Sequence, residues 1–442
     1  MTIAKDAATV PHHGHADERL GGARRLTIGW RDPDPPDLRT HRHRYGAMPP
    51  HAALMRSLID AVSSSGLTGR GGASFPTGTK MRAVAERRGP AVVVANGMES
   101  EPASDKDEAL LSRAPHLVLD GAVAAAVAVG ADSVLLCLPR KNWLLAGMRQ
   151  AITERARAGL DPIEVELHDL PHGYVSSSET AIVSWLNGAD AKPTAAPPRP
   201  FERGVARRPT MISNVETFAH IALIARFGAD WFRRAGLPEA PGSMLITTSG
   251  AVASPGVYEI QAGTAIGSAF ALSRVSHEVR SVLVGGYFGS WHDFAEVAGL
   301  PLASSALRPV GAGPGAGVLI ALPPDACGLR ETARVLSWLA DQGAGQCGPC
   351  MFGLPAIADD FWQLAAGRPQ GRLLDRLGRR LGMISGRGAC AHPDGAVRLA
   401  GSALTAFAAD ARAHAAGRPC VAARSRSSPD VLPIPHGKEP WR

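Results

Sequence analysis

A β-branched run, "GPAVVVANG" (residues 89–97), is followed by the Ala-rich stretch "APHLVLDGAVAAAVAVG" (114–130) and a second apolar run, "SVLLCL" (133–138). Short, continuously apolar runs suit strands buried on both faces, as in a parallel sheet. Upstream, "HAALMRSLIDAVSSSG" repeats Leu54, Leu58 and Val62 at helical spacing, and Gly66 ends the helix. Strands alternating with helices imply an α/β fold with an open, mostly parallel sheet. This pattern predicts an α/β domain over residues 46–240.

The character then changes. "SMLITTSGAVASPGVYEI" is two β-rich runs divided by a turn, and "RSVLVGGYFGSW" and "AGVLIAL" add strands, so residues 241–322 read as a small β domain. From residue 323 to 415 the apolar periodicity is helical. Leu329, Ala333, Leu336 and Ala340 form one stripe; Ile357, Phe361 and Leu364 another; Leu373, Leu377 and Leu381 a third; Val397, Ala400, Leu404 and Phe407 a fourth. Four short amphipathic helices predict a C-terminal helical bundle. Residues 1–45, with "VPHHGHADERLGG" and "RDPDPPDLRTHRHRYG", read as an irregular extension, and residues 416–442 as a tail. A His-rich tract can bind metal, but a solvated or partner-binding arm accounts for the composition.

Composition excludes several classes. The net charge is +7, but the basic residues are scattered and not interleaved with aromatics, which argues against nucleic acid as a partner. Six cysteines in 442 residues make no disulfide framework and suit a reducing compartment. No apolar secretory signal opens the chain, and Asp120 and Asp132 interrupt its most apolar stretch. The expectation is a cytoplasmic protein without direct membrane insertion.

Three stretches carry chemistry. "SGLTGRGGASFPTGTK" (65–80) holds five glycines with Arg70 and Lys80 alongside. Its backbone N–H groups can turn toward one anion, although a plain flexible loop fits the local composition equally. "VVVANGMESEPASDKD" (92–107) places Asn96 at the carboxyl end of a strand, where α/β folds bind ligands. The acids that follow, Glu99, Glu101, Asp105 and Asp107, read equally as a solvated loop or a site. "GAGQCGPCMFG" (343–353) puts Cys347 and Cys350 at metal-ligand spacing. Cys137 reads as core; Cys327 and Cys420 have no partner at ligand spacing.

Taken in order, "GRGGASFPTGTK", "NGMESEPASDKD", "GYVSSSETAIVSWL", "PTMISNVETFAHI" and "SGAVASPGVYEI" resemble the motifs of one family across roughly residues 52–410. It is the FMN-binding flavoprotein subunit of NADH:quinone oxidoreductase (NuoF-type), shared with NAD-dependent hydrogenases and formate dehydrogenases. The resemblance implies an FMN-binding α/β domain, a ubiquitin-like (SLBB) β domain and a helical domain carrying an iron–sulfur cluster. It implies hydride transfer from NADH to FMN and single electrons leaving through the cluster. The acceptor would be a ferredoxin-like or membrane electron-transfer subunit, leaving this chain peripheral to a membrane complex. Carried over residue by residue, the cofactor-binding set is Gly69, Arg70, Gly71, Gly72, Phe75, Lys80, Asn96, Glu101, Glu179, Asn214 and Thr217. The metal set is Cys347, Cys350 and Cys390.

The chain departs from that pattern at defined places. Ser178 replaces the first of two paired glutamates, Met98 an aspartate and Ser213 an asparagine. Met81 and Ala83 stand where aromatics follow the lysine, and Arg199 replaces a phenylalanine two residues before Phe201. Each lost stacking face removes on the order of 1 kcal/mol. These departures predict a retained FMN site with an NADH site weakened or retuned to another donor. In the cysteine run Ala344 occupies the first ligand position. Three thiolates leave four outcomes open: a [3Fe–4S] cluster, the family's [4Fe–4S] cluster with a non-Cys ligand, a zinc site completed by His392, or no cluster.

Overall fold

The computed structural model describes residues 24–33, 36–424, 430–435, 437 and 439–442. The His-rich tract lies outside them. The first half runs α1 (Leu38–Tyr45), α2 (His51–Ser65), α3 (Thr77–Ala85), β1 (Ala91–Asn96), α4 (Lys106–Arg113), α5 (Pro115–Val129), β2 (Ala131–Pro139), α6 (Asn142–Arg157), β3 (Val165–Leu170), α7 (Glu179–Leu186), β4 (Thr210–Asn214) and α8 (Val215–Arg233). The four strands form one parallel sheet in the order β3-β2-β1-β4. The chain thus steps outward from β1 to β3, then returns to the other side of β1. That reversal leaves a crevice beyond the carboxyl ends of β1 and β4, the place where open α/β sheets bind ligands.

The sequence explains the layers. Every residue of α5 from Pro115 to Ala126 is buried, so its surface is apolar on nearly every side, His116 and Asp120 excepted. At Gly121 it touches α8 backbone to backbone: a Cβ there would lie 1.7 Å from the Phe218 carbonyl oxygen. Helices α2, α5 and α8 share one core with the sheet's first face, and Met98, Ile182 and Ile212 fill the other face beneath α7. Gly66 caps α2 with φ +72°, as its place at the end of the apolar stripe requires.

Residues 243–322 form a mixed five-stranded sheet. Strands Ser243–Gly250 and Gly256–Gln261 pair antiparallel, and Val318–Leu322 lies parallel to the first of them. Ser281–Val284 and Ser290–Asp293 complete the far edge, and the helix Ile266–Leu272 packs on one face. Helices Gly328–Gln342, Leu354–Ala365, Leu373–Ile384, His392–Ala406 and Ala408–Ala415 follow. The helix His392–Ala406 docks on this sheet, its Ser402 Oγ accepting from the Trp291 N–H at 3.0 Å.

Where the sequence pattern suggested an irregular extension, residues 38–45 form a helix capped by Asp37, whose side chain accepts from the Thr40 N–H. Buried charge holds it. His41 Nε2 lies 2.6 Å from Asp120, which also pairs with Arg155 (2.7 Å) and Arg226. Burial opposes ionisation of Asp120, but the His41 hydrogen bond and the two arginines outweigh it and hold the carboxyl well below its usual range. Arg25, Leu26 and Thr27 are strapped to the second sheet by backbone N–H donation to the Glu259 carboxylate at 2.9–3.0 Å. The C-terminal residues also return to the body. Glu331 accepts from the N–H groups of Val431 and Leu432, and Tyr287 donates its hydroxyl to Pro433 O. A buried carboxylate has to find donors, and these segments supply them.

Glu101 joins the two sheets. Its carboxylate accepts from the Tyr287 N–H (2.8 Å) and the Tyr174 hydroxyl (3.0 Å). Loss of solvent raises its pKa from 4.5 to about 7 despite those donors. The folded state therefore binds this proton more tightly than the unfolded chain. The associated stabilisation is complete below about pH 4.5 and fades as pH rises toward 7. Glu101→Gln should abolish that pH dependence, worth up to about 3 kcal/mol, in urea titrations between pH 4.5 and 7.5. Asp120→Ala should lower the unfolding free energy by about 3–5 kcal/mol in the same assay, because it leaves the buried Arg226 guanidinium and His41 without their carboxylate, while Arg155 keeps Asp161.

Candidate functional site

β1 and β4 end on two asparagines that face each other in register, Asn96 and Asn214. The glycine loop between α2 and α3 folds over this pair. Its stem is closed by Gly69 N–H to Phe75 O (2.8 Å) and Thr77 N–H to Leu67 O (2.9 Å). Its tip, Gly71 to Ala73, is exposed. One position requires glycine, Gly72 with φ of +102°, and at Gly71 the loop lies in contact with Asn214, whose Cβ would be 3.4 Å from an added Cβ. The loop is fastened to α8 by the Arg70 N–H, which donates to Thr217 Oγ1 at 2.9 Å.

Lys80 reaches the same region from α3. Its ammonium donates to Ile212 O (2.9 Å) on β4 and pairs with Glu179 (2.5 Å) at the first turn of α7. Asn96 is held by donation of its Nδ2 to Ser177 O (2.9 Å) and by accepting from the Met98 N–H (3.0 Å). Ser178 occupies the N-cap of α7 but makes no capping hydrogen bond. Its hydroxyl oxygen is buried and without a protein partner, as is that of Ser176. Buried hydroxyls are rarely left in this state unless a ligand or water completes them.

Glycine loop, Lys80, Asn96, Glu179, Asn214 and Thr217 thus converge on the crevice. Asn214 stands at the strand end, but its amide caps α8 by accepting from the Glu216 N–H (2.9 Å) and donates to Asp107 (2.5 Å). Two further expected members point elsewhere. The Arg70 guanidinium turns away and donates to Ser243 O (3.0 Å) and Pro241 O (3.4 Å) on the second sheet. Glu101 is committed to Tyr174 and Tyr287. Phe75 remains half exposed at the stem. The other aromatic positions offer no stacking face: Met81 is fully buried in the core, and Phe201 packs under Arg87, whose guanidinium carbon is 5.3 Å from the ring centre.

Sequence reasoning left the acids after β1 evenly balanced, and most are structural. The Lys106 ammonium is buried between Asp107 (2.7 Å) and Glu216 (2.9 Å). Burial disfavours the charge, but these two acids and Glu99 keep the lysine protonated. Burial likewise opposes Glu216, yet Lys106 brings its pKa down to about 2. Glu99 accepts from the Asp107 and Glu108 N–H groups at the start of α4, while Asp105 is exposed.

Cys347, Cys350 and Cys390 make up the second candidate centre. Pro349–Gly353 forms a π-helical turn that carries Cys350, a distortion frequent at functional sites. Cys390 approaches from the segment before the helix His392–Ala406 and interacts electrostatically with both other thiols. Burial opposes ionisation of Cys347, but backbone hydrogen bonds from Ala389 and Cys350 and the Cys350 thiol take its pKa below the ordinary value. Burial, with the charge of Cys347 beside it, pushes Cys350 up to about 12. Three soft sulfur donors fit an iron–sulfur cluster. His392 does not offer Nε2 to them, since that nitrogen donates to Leu339 O at 2.8 Å. The segment carrying Ala344 runs beside the site: a Cβ on Gly343 would lie 3.5 Å from Cys350 Sγ.

Comparison with known proteins agrees with both centres. Residues 62–223 match the Nuo51 FMN-binding domain, and residues 330–414 match the NADH-ubiquinone oxidoreductase-F iron-sulfur binding region. The NuoF-type subunit of NADH-quinone oxidoreductase in Streptomyces coelicolor is 31% identical over 398 residues, covering 86% of this chain and 88% of that protein. A NuoF-type subunit of the same enzyme in Rhizobium meliloti is 30% identical over 379 residues, covering 82% and 90%. The fold superposes on a chain of an NAD+-reducing [NiFe]-hydrogenase in its H2-reduced state, with a TM-score of 0.78 and 29% identity, covering 90% of this chain and 67% of that one. With a glycine loop over the switch point of a parallel sheet and a cysteine centre in the helices behind it, the chain belongs to the NuoF family of NADH-quinone oxidoreductase subunits, the FMN- and iron–sulfur-containing oxidoreductases.

Proposed function

We propose that this chain is an electron relay in which the crevice at Asn96 and Asn214 holds FMN and the three cysteines hold a cluster with one non-Cys corner. The observation that carries this reading is the convergence of the Gly71–Ala73 tip, Lys80 and the unpartnered Ser178 hydroxyl on one strand-end crevice. FMN, when bound, supplies the conversion of an electron pair into single electrons. The loop tip binds the phosphate through its backbone. Lys80, positioned by Glu179 and Ile212 O, places positive charge beside the flavin, and Asn96 and Asn214 orient its polar edge. Cys347, Cys350 and Cys390 hold the iron. The exposed Met351 and Phe352, adjacent to Cys350, suit an apolar docking face for a partner redox protein.

In this reading residues 46–240 form the flavin domain, 241–322 an SLBB-like domain and 323–415 the cluster domain. The mixed five-stranded sheet with one helix on its face supports the second assignment. Among the described residues no single helix is long and apolar enough to cross a membrane, so attachment to a membrane complex would run through partners.

A second reading concerns the donor. NADH is the family's donor, but here Phe75 stands at the crevice while Met81 and Phe201 are packed inward. That favours a two-electron donor bound with less stacking than NADH requires. Anaerobic titration of the flavin with NADH decides it: rapid stoichiometric bleaching would sink the alternative donor and leave the relay standing.

Two variants test the centres. Lys80→Met should reduce FMN affinity about tenfold or more, by the loss of a charge-assisted bond, with the iron content unchanged; fluorescence of released flavin measures it. Ala344→Cys should complete the thiolate set and slow iron loss to a chelator, followed by iron and sulfide analysis. Iron loss at the wild-type rate would show that position 344 does not face the cluster.

A further inference from the structure

A second group of soft ligands lies apart from both centres. Cys327 immediately precedes the helix Gly328–Gln342, His414 lies in the last turn of Ala408–Ala415, and Cys420 precedes the short helix Val421–Arg424. Distant in sequence, the two sulfurs and a ring nitrogen of His414 come within 4.8 Å of one another. The expectation that neither cysteine has a ligand partner is therefore corrected: reversal of the chain through the helices brings them together. Cys327 and His414 are buried, and Cys420 sits at the edge.

The tautomer of His414 follows from its partners. The Cys420 backbone N–H donates to Nε2 (2.9 Å), so Nε2 carries a lone pair. The proton is on Nδ1, which donates to Leu364 O (3.2 Å). A carbonyl accepting from one ring nitrogen, with a lone pair left on the other, is how proteins orient a ligating imidazole. Both sulfurs have backbone donors at helix starts. Ala423 N–H donates to Cys420 Sγ at 3.4 Å, and the Arg330 and Leu329 N–H groups face Cys327. Such donors favour thiolates. The loop at Gly367 packs so closely on Pro419 that an added Cβ would lie 2.5 Å from its ring, which holds the Cys420 segment in place.

We propose that Cys327, His414 and Cys420 form a three-ligand zinc site that clamps the segment after residue 415 to the helical part of the protein. Two thiolates and an imidazole are a zinc-type donor set, with solvent taking the fourth tetrahedral position. Binding replaces the Cys420 N–H···Nε2 hydrogen bond with an Nε2–Zn bond and releases two thiol protons to solvent.

The test uses the full chain, purified anaerobically with its flavin and iron, and Zn2+ alone as the probe. One equivalent of zinc per chain should survive dialysis in the wild type. It should be lost from the Cys327→Ser/Cys420→Ser variant, with flavin and iron contents unchanged. Retention of zinc in that variant, or its loss only when Cys347 and Cys350 are replaced, overturns the assignment. If the variant does not fold, alkylation of the native wild-type protein decides. Zinc should protect the half-buried Cys420 from alkylation, as read by peptide mass spectrometry. Equal labelling with and without zinc, or a Cys327–Cys420 disulfide in the anaerobic protein, overturns the proposal.

Discussion

A single buried ammonium organises this molecule. Lys106, only 3% exposed, donates to Asp107 after β1 and to Glu216 in the first turn of α8. The other Glu216 oxygen accepts from the Leu245 N–H of the second sheet at 2.9 Å, and Asp107 accepts from the Asn214 side chain at 2.5 Å. One charge therefore registers the loop after β1, the end of β4, the start of α8 and the neighbouring sheet. Such a cluster is a weak source of net stability, because desolvation offsets most of the attraction. What it supplies is position. The β1–β4 register sets Asn214 opposite Asn96, and Lys106 and Asp107 fix the direction of its side chain.

The crevice itself is a consequence of topology. A sheet ordered β3-β2-β1-β4 must reverse direction between β1 and β4, and backbone groups at that reversal have no crossover helix covering them. Glycine then admits a loop whose tip lies over the opening without side chains in the way. Chemistry at this edge is confined to binding and orientation, and none of the groups that converge there is set up as an acid–base pair. The cluster centre shows the same economy: a local π turn, backbone donors and three sulfurs, with the missing thiolate at Ala344.

Much of the fold was legible. The helix ending at Gly66, the strand at 91–96, the Ala-rich helix and the helical stripes after residue 323 appear where apolar period and glycine placed them. The helix at 38–45 was not legible, because "LRTHRHRY" has almost no apolar content and is held by His41 against a distant carboxylate. Arg70 and Glu101 match a motif by letter, yet their side chains serve the joint between the two sheets. A motif specifies residue type, whereas direction depends on what else packs nearby.

Residue order alone determined the alternation of strand and helix, the glycine loop, the strand-end asparagine and the spacing of Cys347 and Cys350. These depend on local periodicity and backbone freedom, which a few consecutive residues contain. Only the tertiary structure decided that Asn96 and Asn214 face each other, that Lys106 meets Glu216 of α8, and that Cys327 meets His414 and Cys420. Those contacts join positions far apart in the chain, and their geometry exists only once the helices and both sheets have packed.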